Sequence, residues 1–372
     1  MITPCLMWAQ KKELSQARSS IKSGKYDEAE KTLATLLKDS TNRTNKRIWL
    51  AYYDAVCGQY EQGNEKLYLK QKYDTATFFS HVKKMLCVAE TLDSLAPEYR
   101  KNHAAQQNNY RTNLFSGGGF FIHKGKWAEA YEFYEAYIDC ARQPLFETYQ
   151  YDSTDVRLPE AGYWATYCGY KLQDPVLTLR YRQLALRDSS KADFTLQFVA
   201  EARKWLKDDQ LYRETLEEGF RRYPQFPYFF PRLMDVYTSH DQYDKALALA
   251  DSALAVNDSC ELFNFAKSTV LLRLERYAES IKYGEKLIAL NPQLAEPYFN
   301  VGTAYVNIAG RLDQRRERKL MRKSYEKARS YIETYRKMMP EEQDKWAPVL
   351  YRIYLNLNMG KQFDEIDRLL KK

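Results

Sequence analysis

Glycine and proline are scarce in this sequence, and long apolar runs are missing from it. Only 14 Gly and 12 Pro occur in 372 residues, and they form no Gly/Ser-rich or Pro-rich stretch of the kind that links separate domains. Turn-rich β proteins use both residues often, whereas helix interiors avoid them. No run of 18 consecutive apolar residues occurs, so no membrane-spanning helix is predicted. These absences favour one continuous helical structure.

Cysteine and histidine are too scattered to predict a metal centre or a disulfide framework. The six cysteines include no C-x-x-C pair, and the four histidines include no pair at metal-ligand spacing on one helix. The run Gly117-Gly118-Gly119 lacks the Gly-Lys-Ser/Thr that follows in a phosphate-binding loop. No nucleophile elbow and no distinctive pair of carboxylates marks a catalytic centre. We therefore expect no enzymatic activity, no metal and no cofactor.

The first ten residues resemble the end of a secretory signal. The first ten residues end in Trp8-Ala9-Gln10, and the polar run Lys11-Lys12-Glu13 follows them. A complete signal has a basic start and a longer apolar stretch, and both are missing or shortened here. Our hypothesis is that Met1 is an internal methionine of a longer precursor, that residues 1–9 are a signal remnant, and that the protein is exported to a bacterial envelope or periplasm. A cytoplasmic protein with an ordinary terminus is the alternative.

Residues recur at intervals of 34, which indicates an internal repeat. Gly24 and Gly58 are 34 residues apart, and two further series keep the same step. These series are Pro224, Asp258 and Pro292, and Asp209, Tyr243 and Tyr277. Inside the units the apolar residues follow helical spacing, as in Tyr277, Ile281, Gly284 and Ile288. Each unit is therefore predicted to be two short helices joined by a tight turn.

The repeat resembles the tetratricopeptide family when its positions are placed on the residues one by one. In residues 295–340, Tyr298, Val301-Gly302 and Tyr305 match the family's aromatic, Leu-Gly and aromatic positions, and Ala328 and Pro340 match the later ones. A second unit places Gly118, Phe121, Gly125, Trp127 and Ala130 on the same pattern. Small residues at such positions allow two helices to approach closely. The resemblance implies an all-α, right-handed α-solenoid of about nine helix-turn-helix repeats.

The repeats predict the following organisation. Residues 10–144 hold N-terminal repeats with a degenerate unit at 78–110, residues 145–160 form an inserted loop, and residues 161–372 hold C-terminal repeats. The C-terminal part is predicted to carry a basic insertion at 311–324 and to end in a half-repeat.

The predicted insertion contains an unusual amount of positive charge. Residues 311–323 have seven basic and two acidic residues, whereas the whole chain has 57 basic and 49 acidic residues and a net charge of +8. Arg311, Arg315, Arg318 and Arg322 would form one stripe if the segment were a single helix. A solvated helix extension, an acidic protein partner, anionic lipid headgroups and nucleic acid all remain open as explanations.

The resemblance also implies a function. In the tetratricopeptide family the first helices of the pairs line a groove that holds peptides or helices of partner proteins. We therefore expect a non-catalytic scaffold or adaptor whose ligand is a protein or peptide. The alternative is a cytoplasmic regulator whose basic insertion contacts nucleic acid or an acidic partner. The predicted groove residues are Arg203, Asn264, Lys267, Asn300 and Thr303, to which Arg311, Arg315, Arg318 and Arg322 of the insertion are added.

Overall fold

We describe the fold from a computed structural model, which covers the backbone of residues 4–371 and the side chains of residues 10–371. This part of the chain contains α-helices and short 3-10 helices and no β-strand. It divides into two compact units, Met1–Tyr212 and Arg213–Lys372. The predicted signal remnant at 1–9 has its first three residues and all of its side chains outside the described part.

The first unit begins with three pairs of long helices. They are α1 (Pro4–Lys22) and α2 (Tyr26–Lys38), α3 (Lys46–Tyr68) and α4 (Thr75–Leu95), and α5 (Arg100–His123) and α6 (Trp127–Asp139). A short helix, α7 (Tyr151–Thr154), precedes α8 (Leu158–Lys171), α9 (Pro175–Arg180), α10 (Arg182–Ala185) and α11 (Ala192–Trp205). The next helix, α12 (Asp209–Arg222), contains the boundary between the units.

The second unit continues with four further helix pairs. They are α13 (Phe229–Ser239) and α14 (Tyr243–Val256), α15 (Glu261–Arg273) and α16 (Tyr277–Leu290), α17 (Glu296–Arg311) and α18 (Arg318–Met338), and α19 (Gln343–Asn356) and α20 (Gly360–Leu370). Across the described residues the chain thus forms nine successive helix-turn-helix segments. The predicted all-α class and the predicted number of repeats are confirmed.

The turn inside most pairs has one backbone geometry. A residue with positive φ follows the first helix at Gly24, Gly125, Gln173, Lys207, Asp241, Glu275 and Asn358. The next N–H then donates back to a carbonyl five residues earlier, as from Arg276 to Leu271 at 2.9 Å. This left-handed ending satisfies carbonyls that the helix leaves unpaired. From Gln173 to Glu275 it recurs every 34 residues, so the repeat found in the sequence is also a repeat of backbone conformation.

Glycines inside the helices bring neighbouring helices into close contact. A Cβ added at Gly118 would lie 2.5 Å from the ring of Tyr134, which is one of the largest fully buried side chains. The predicted packing role of Gly118 is confirmed. Gly24 and Gly58, which were paired by their spacing, occupy different environments. Gly24 lies in a turn with φ of +74°, whereas Gly58 lies within α3 against the ring of Tyr26.

Three stretches are organised differently from the predicted boundaries. The predicted degenerate unit at 78–110 is divided between α4, the second helix of one pair, and α5, the first helix of the next. Helices α4 and α5 have 21 and 24 residues, whereas α14 and α15 have 14 and 13, so a fixed step of 34 misplaces the ends of the longer helices. The predicted terminal half-repeat is the full pair of α19 and α20. The predicted basic insertion is not a separate element, because it lengthens α17 and α18 to 16 and 21 residues around a short loop.

The predicted loop at 145–160 is mostly structured and contributes to the core. Residues Pro144–Tyr149 form a 3-10 helix, α7 follows, and α8 begins at Leu158. Leu145 and Phe146 are each only 2% exposed. These apolar side chains pack in the same cluster as α5 and α6, which explains why the segment is ordered although it lacks the repeat pattern.

Candidate functional site

The second unit has a groove along the first helices of three successive pairs. One concavity of about 460 Å³ lies between α13 and α15, and another of about 400 Å³ lies between α15 and α17. Both are lined by Thr269 and by residues of neighbouring helices, and Arg273 borders both. We define the groove by seven side chains that line the two concavities: Asp235, Thr238, Thr269, Arg273, Asn300, Thr303 and Asn307.

Helical spacing explains why these residues share one surface. Thr269 and Arg273 are four residues apart on α15, and Asn300, Thr303 and Asn307 are three and four apart on α17. Residues at such intervals lie above one another on the same helix face. The opposite faces of α15 and α17 are apolar and buried, for example at Leu271 and Ala309, so the polar residues share the face that borders the concavities.

Polar atoms of the groove are only partly engaged by the protein itself. The Nδ2 of Asn300 donates to the Oγ1 of Thr269 at 3.0 Å, which links α17 to α15. Thr269 in turn donates to the carbonyl of Phe265 at 3.0 Å. The Oγ1 of Thr303 is buried and has no partner in the described part of the chain. Buried polar groups are normally hydrogen-bonded, so the hydroxyl of Thr303 is an exception beside the concavity that this residue lines.

An apolar recess lies beside the beginnings of α15 and α17. It has a volume of about 340 Å³, and its lining includes Leu262, Phe265, Leu287, Leu294 and Pro297. Leu262 and Phe265 precede Thr269 on α15 by seven and four residues. The same helix therefore presents apolar groups at its beginning and hydrogen-bonding or charged groups at its end.

Two of the predicted groove residues are committed to the fold instead. Asn264 is fully buried, and its Nδ2 donates to the carbonyls of Asp258 and Cys260 at 2.8 and 2.9 Å. Lys267 forms an ion pair with Asp251 at 2.5 Å and donates to the hydroxyl of Tyr283 at 2.7 Å. Burial acts to lower the pKa of Lys267, but these two partners raise it above its usual value. The prediction for these two positions is therefore corrected, since both side chains face the body of the repeat.

Arg203 belongs to the first unit. It lies on α11, is half-buried, and donates from Nη1 to the carbonyl of Leu211 at 3.0 Å. This bond crosses the turn that leads into α12. Asn300 and Thr303 line one of the two concavities, and a binding role for them stays a prediction. The same holds for Arg203.

The four arginines predicted to form one stripe do not share a helix. Arg311 ends α17, Arg315 lies in the loop at 312–317, and Arg318 and Arg322 lie in the first turns of α18. Arg311 forms an ion pair with Glu275 and lies over the ring of Tyr277 at 4.6 Å. Arg322 pairs with Glu326 at 3.1 Å. The single-helix stripe is thus corrected to a loop and two helix ends.

The described residues contain no group of three or more His, Cys, Asp or Glu side chains that could hold a metal ion. Within the same range, none of the helices is both long and apolar enough to cross a membrane.

One segment of the second unit matches a known family. Residues 235–295 match a family model described as tetratricopeptide repeat. This segment of the chain is similar to tetratricopeptide repeats. The matched residues run from the middle of α13 to the end of the turn before α17, so they include much of the groove.

Three solved structures of low sequence identity match parts of the chain. The C-terminal part of a repeat-containing protein from Cytophaga hutchinsonii is 12% identical, with 68% of this chain and 92% of that chain covered and a TM-score of 0.47. MamA from Desulfovibrio magneticus RS-1 is 14% identical, with coverage of 49% and 96% and a TM-score of 0.37. YrrB, described as a tetratricopeptide protein with an unusual peptide-binding site, is 15% identical, with coverage of 52% and 92% and a TM-score of 0.38. No curated protein sequence matches the chain significantly.

The prediction from sequence missed Thr269, Arg273 and Asn307. The signal that could have found them is their spacing from Asn300 and Thr303 on α17 and from Leu262 on α15. A tetratricopeptide helix has more than one polar face, however, and only the orientation of α15 against α14 and α16 separates Arg273 from Lys267.

Proposed function

We propose that this protein is a non-catalytic scaffold that binds an extended segment of a partner protein along the groove of α13, α15 and α17. The observation that supports this most directly is that polar side chains of three successive first helices line two adjoining concavities. Asn300, Thr303 and Asn307 offer donors and acceptors at the spacing of one helix face. Amide and hydroxyl groups of this kind can bond to the backbone of an extended peptide, whose N–H and C=O groups need partners on binding.

The apolar recess adds a second contact for the same ligand. A peptide that lies along α15 would place one side chain near Leu262 and Phe265 and another near Arg273. An apolar residue suits the first position, and an acidic residue or a terminal carboxylate suits the second, because guanidinium groups bind carboxylates through paired hydrogen bonds. We therefore expect a ligand that carries an apolar residue and, farther along the same segment, a carboxylate. The ligand can run in either direction along α15.

Site-specific photo-crosslinking in the native cells tests this proposal. A photoreactive residue replaces Thr303 in the groove or, as a control, Lys282 on the exposed face of α16. We expect a covalent adduct at position 303 only, from which mass spectrometry identifies the partner segment. A synthetic peptide of that segment should then bind the protein, with an affinity lowered about tenfold by Arg273→Ala combined with Asn307→Ala. Equal adducts at both positions, or unchanged affinity, would contradict the groove.

Export to the cell envelope is a second part of the proposal. It is supported by the residues Trp8-Ala9-Gln10 before a polar run. The test is to tag the precursor at its C-terminus in the native cells and to read the mature N-terminus by mass spectrometry after cell fractionation. A chain that begins near Gln10 in the envelope fraction supports export. An uncleaved chain in the cytoplasmic fraction favours the cytoplasmic alternative.

A further inference from the structure

A compact positive surface lies where α17 passes into α18, and it shares no residue with the groove. We call five side chains of this region the basic surface: Arg315, Arg316, Arg318, Lys319 and Lys323. All five are exposed. Within the described residues, none of them makes a side-chain hydrogen bond or an ion pair, in contrast to Arg311 and Arg322 at its borders.

The two carboxylates of the loop are used to fold its backbone. One oxygen of Asp313 accepts from the N–H groups of both Arg315 and Arg316 at 2.8 Å, and these bonds lower the pKa of Asp313. Glu317 accepts from the N–H of Asp313 at 3.0 Å. These bonds hold the loop in a defined conformation. The arginine side chains therefore project from a fixed backbone and form no ion pair with either carboxylate.

The position of the charges is unfavourable for the helix that carries them. Arg318 and Lys319 are the first residues of α18, and its first turn contains no acidic side chain. The N-terminal end of a helix has a partial positive charge, which favours carboxylates and disfavours cations. Glu317 precedes α18 as its N-cap residue, but its side chain is hydrogen-bonded to the N–H of Asp313. A bound anion would therefore offset the remaining cost of these cations.

The distribution of charge in the second unit limits the kind of anion. Residues 213–372 contain 27 basic and 23 acidic residues, but outside 311–323 the numbers are 20 and 21. The positive excess is therefore confined to this one segment. A nucleic-acid backbone or an anionic bilayer carries its charge over a wider area and would also meet the surrounding carboxylates. A short acidic segment of a protein fits the size of the surface better.

An exposed apolar side chain lies among the cations. Leu320 is 51% exposed, and it lines a shallow concavity of about 530 Å³ together with Glu317 and with four of the five cations of the basic surface. We propose that the basic surface docks an acidic segment of a partner protein that carries an apolar residue beside its carboxylates. The guanidinium and ammonium groups would bind the carboxylates, and Leu320 would contact the apolar residue.

Binding of defined probes to the full chain tests this inference. The probes are a fluorescent peptide of glutamate with interspersed leucine, a single-stranded DNA oligonucleotide, and vesicles that contain phosphatidylserine. The variant Arg315→Glu/Arg316→Glu/Arg318→Glu reverses the surface. The control Lys282→Glu/Lys337→Glu/Lys361→Glu makes the same change in net charge at exposed lysines elsewhere in the second unit.

We expect the wild type to bind the peptide with an affinity that falls as salt is added. The surface variant should lose about tenfold or more in affinity, whereas the control should stay within about twofold of the wild type. Arg273→Ala with Asn307→Ala should leave this affinity unchanged. Binding at the basic surface can then be judged independently of whether the groove binds a peptide. Circular dichroism should show the surface variant folded, since Arg318→Glu places a carboxylate at a helix N-terminus. If it does not fold, Arg315→Gln with Arg316→Gln serves instead and should lose affinity by a smaller factor.

Three results would overturn the inference. The first is no peptide binding by the wild type at low salt. The second is equal weakening in the surface variant and the control, which would indicate a general effect of net charge. The third is tighter binding to DNA or to vesicles than to the peptide, lost only in the surface variant, which would assign the surface to nucleic acid or lipid.

Discussion

The guanidinium carbon of Arg111 lies 3.8 Å from the ring centroid of Tyr151 and 3.8 Å from that of Tyr137. Arg111 is 5% exposed, and its Nη1 donates to the carboxylate of Asp155 at 2.7 Å. The hydroxyl of Tyr137 donates to the same oxygen at 2.7 Å. Burial acts to raise the pKa of Asp155, but these bonds hold it below its usual value. One cation on α5 thus fixes the non-repeat segment that follows α6.

The first prediction concerns this buried pair. Arg111→Met leaves the carboxylate of Asp155 largely buried without its cation, so the free energy of unfolding should fall by about 3–5 kcal/mol. Urea unfolding followed by circular dichroism measures the change. In the control Arg111→Met/Asp155→Leu no charge remains, and part of the loss should be recovered. A single variant as stable as the wild type would contradict the role given to Arg111.

The second prediction compares two glycines in helices. A Cβ at Gly169 would lie 2.4 Å from the backbone nitrogen of Thr178, so Gly169→Ala forces α8 away from α9 and should destabilise the protein by about 1–3 kcal/mol. At Gly119 an added Cβ would lie 3.8 Å from the hydroxyl of Tyr134, which is an ordinary van der Waals distance. Gly119→Ala should therefore stabilise the protein by about 0.5–1 kcal/mol through helix propensity. Thermal unfolding of both variants should give shifts of opposite sign.

The third prediction concerns pH. Burial, together with the nearby charge of Asp139, raises the pKa of Glu90 to about 7, although a hydrogen bond from Gln143 acts to lower it. The folded protein therefore holds this proton at a higher pH than the unfolded chain does. Its contribution to stability is complete below the unfolded pKa of about 4.5 and is lost as pH rises through 7.

The measurement is the unfolding free energy of the wild type and of Glu90→Gln between pH 5 and pH 8. Glutamine is neutral throughout, so the stability of the wild type relative to the variant should fall over this range by about 1–2 kcal/mol, after allowance for the partial exposure of Glu90. Other titrating groups contribute equally to both proteins. A constant difference would show that Glu90 titrates at an ordinary pH.

The fourth prediction separates residues of the groove from residues of the fold. Lys267→Met removes the ion pair with Asp251 and the bond to Tyr283 and should reduce stability by about 1 kcal/mol. Arg273→Ala removes an exposed side chain, so stability should change by less than about 0.5 kcal/mol. Binding of the partner peptide should respond in the opposite order. Differential scanning calorimetry and fluorescence anisotropy provide the two measurements.

The sequence predicted features that depend on neighbours along the chain, and it predicted less well those that depend on packing between helices. The 34-residue period located most turns, and Gly118 was assigned correctly because a small residue within a helix signals close approach. Asn264 and Asn300 are the same residue type on first helices of successive pairs, yet one is buried against a turn and the other borders the groove. They are 36 residues apart, so they occupy different positions of the 34-residue period and point in different directions around their helices.

Two further differences between the prediction and the structure concern the arginines of 311–322 and the segment 145–160. The spacing of Arg311, Arg315, Arg318 and Arg322 fits one helix, but Asp313 folds the intervening residues into a turn by accepting two backbone N–H groups. Residues 145–160 lack repeat signals and were predicted as a loop. Their apolar side chains and the buried Arg111 fold them into the core through contacts that no local pattern reveals.

The left-handed turns at Gln173, Lys207, Asp241 and Glu275 have a consequence for folding and for changes in chain length. Each turn joins two helices that pack within one period, so most contacts link residues close in sequence, and folding should be rapid and able to start in more than one repeat. Because the backbone has the same conformation at every such turn, removal of the residues between two of them joins chain ends that already match. The array can therefore lose or duplicate a whole period of 34 residues without new turn geometry.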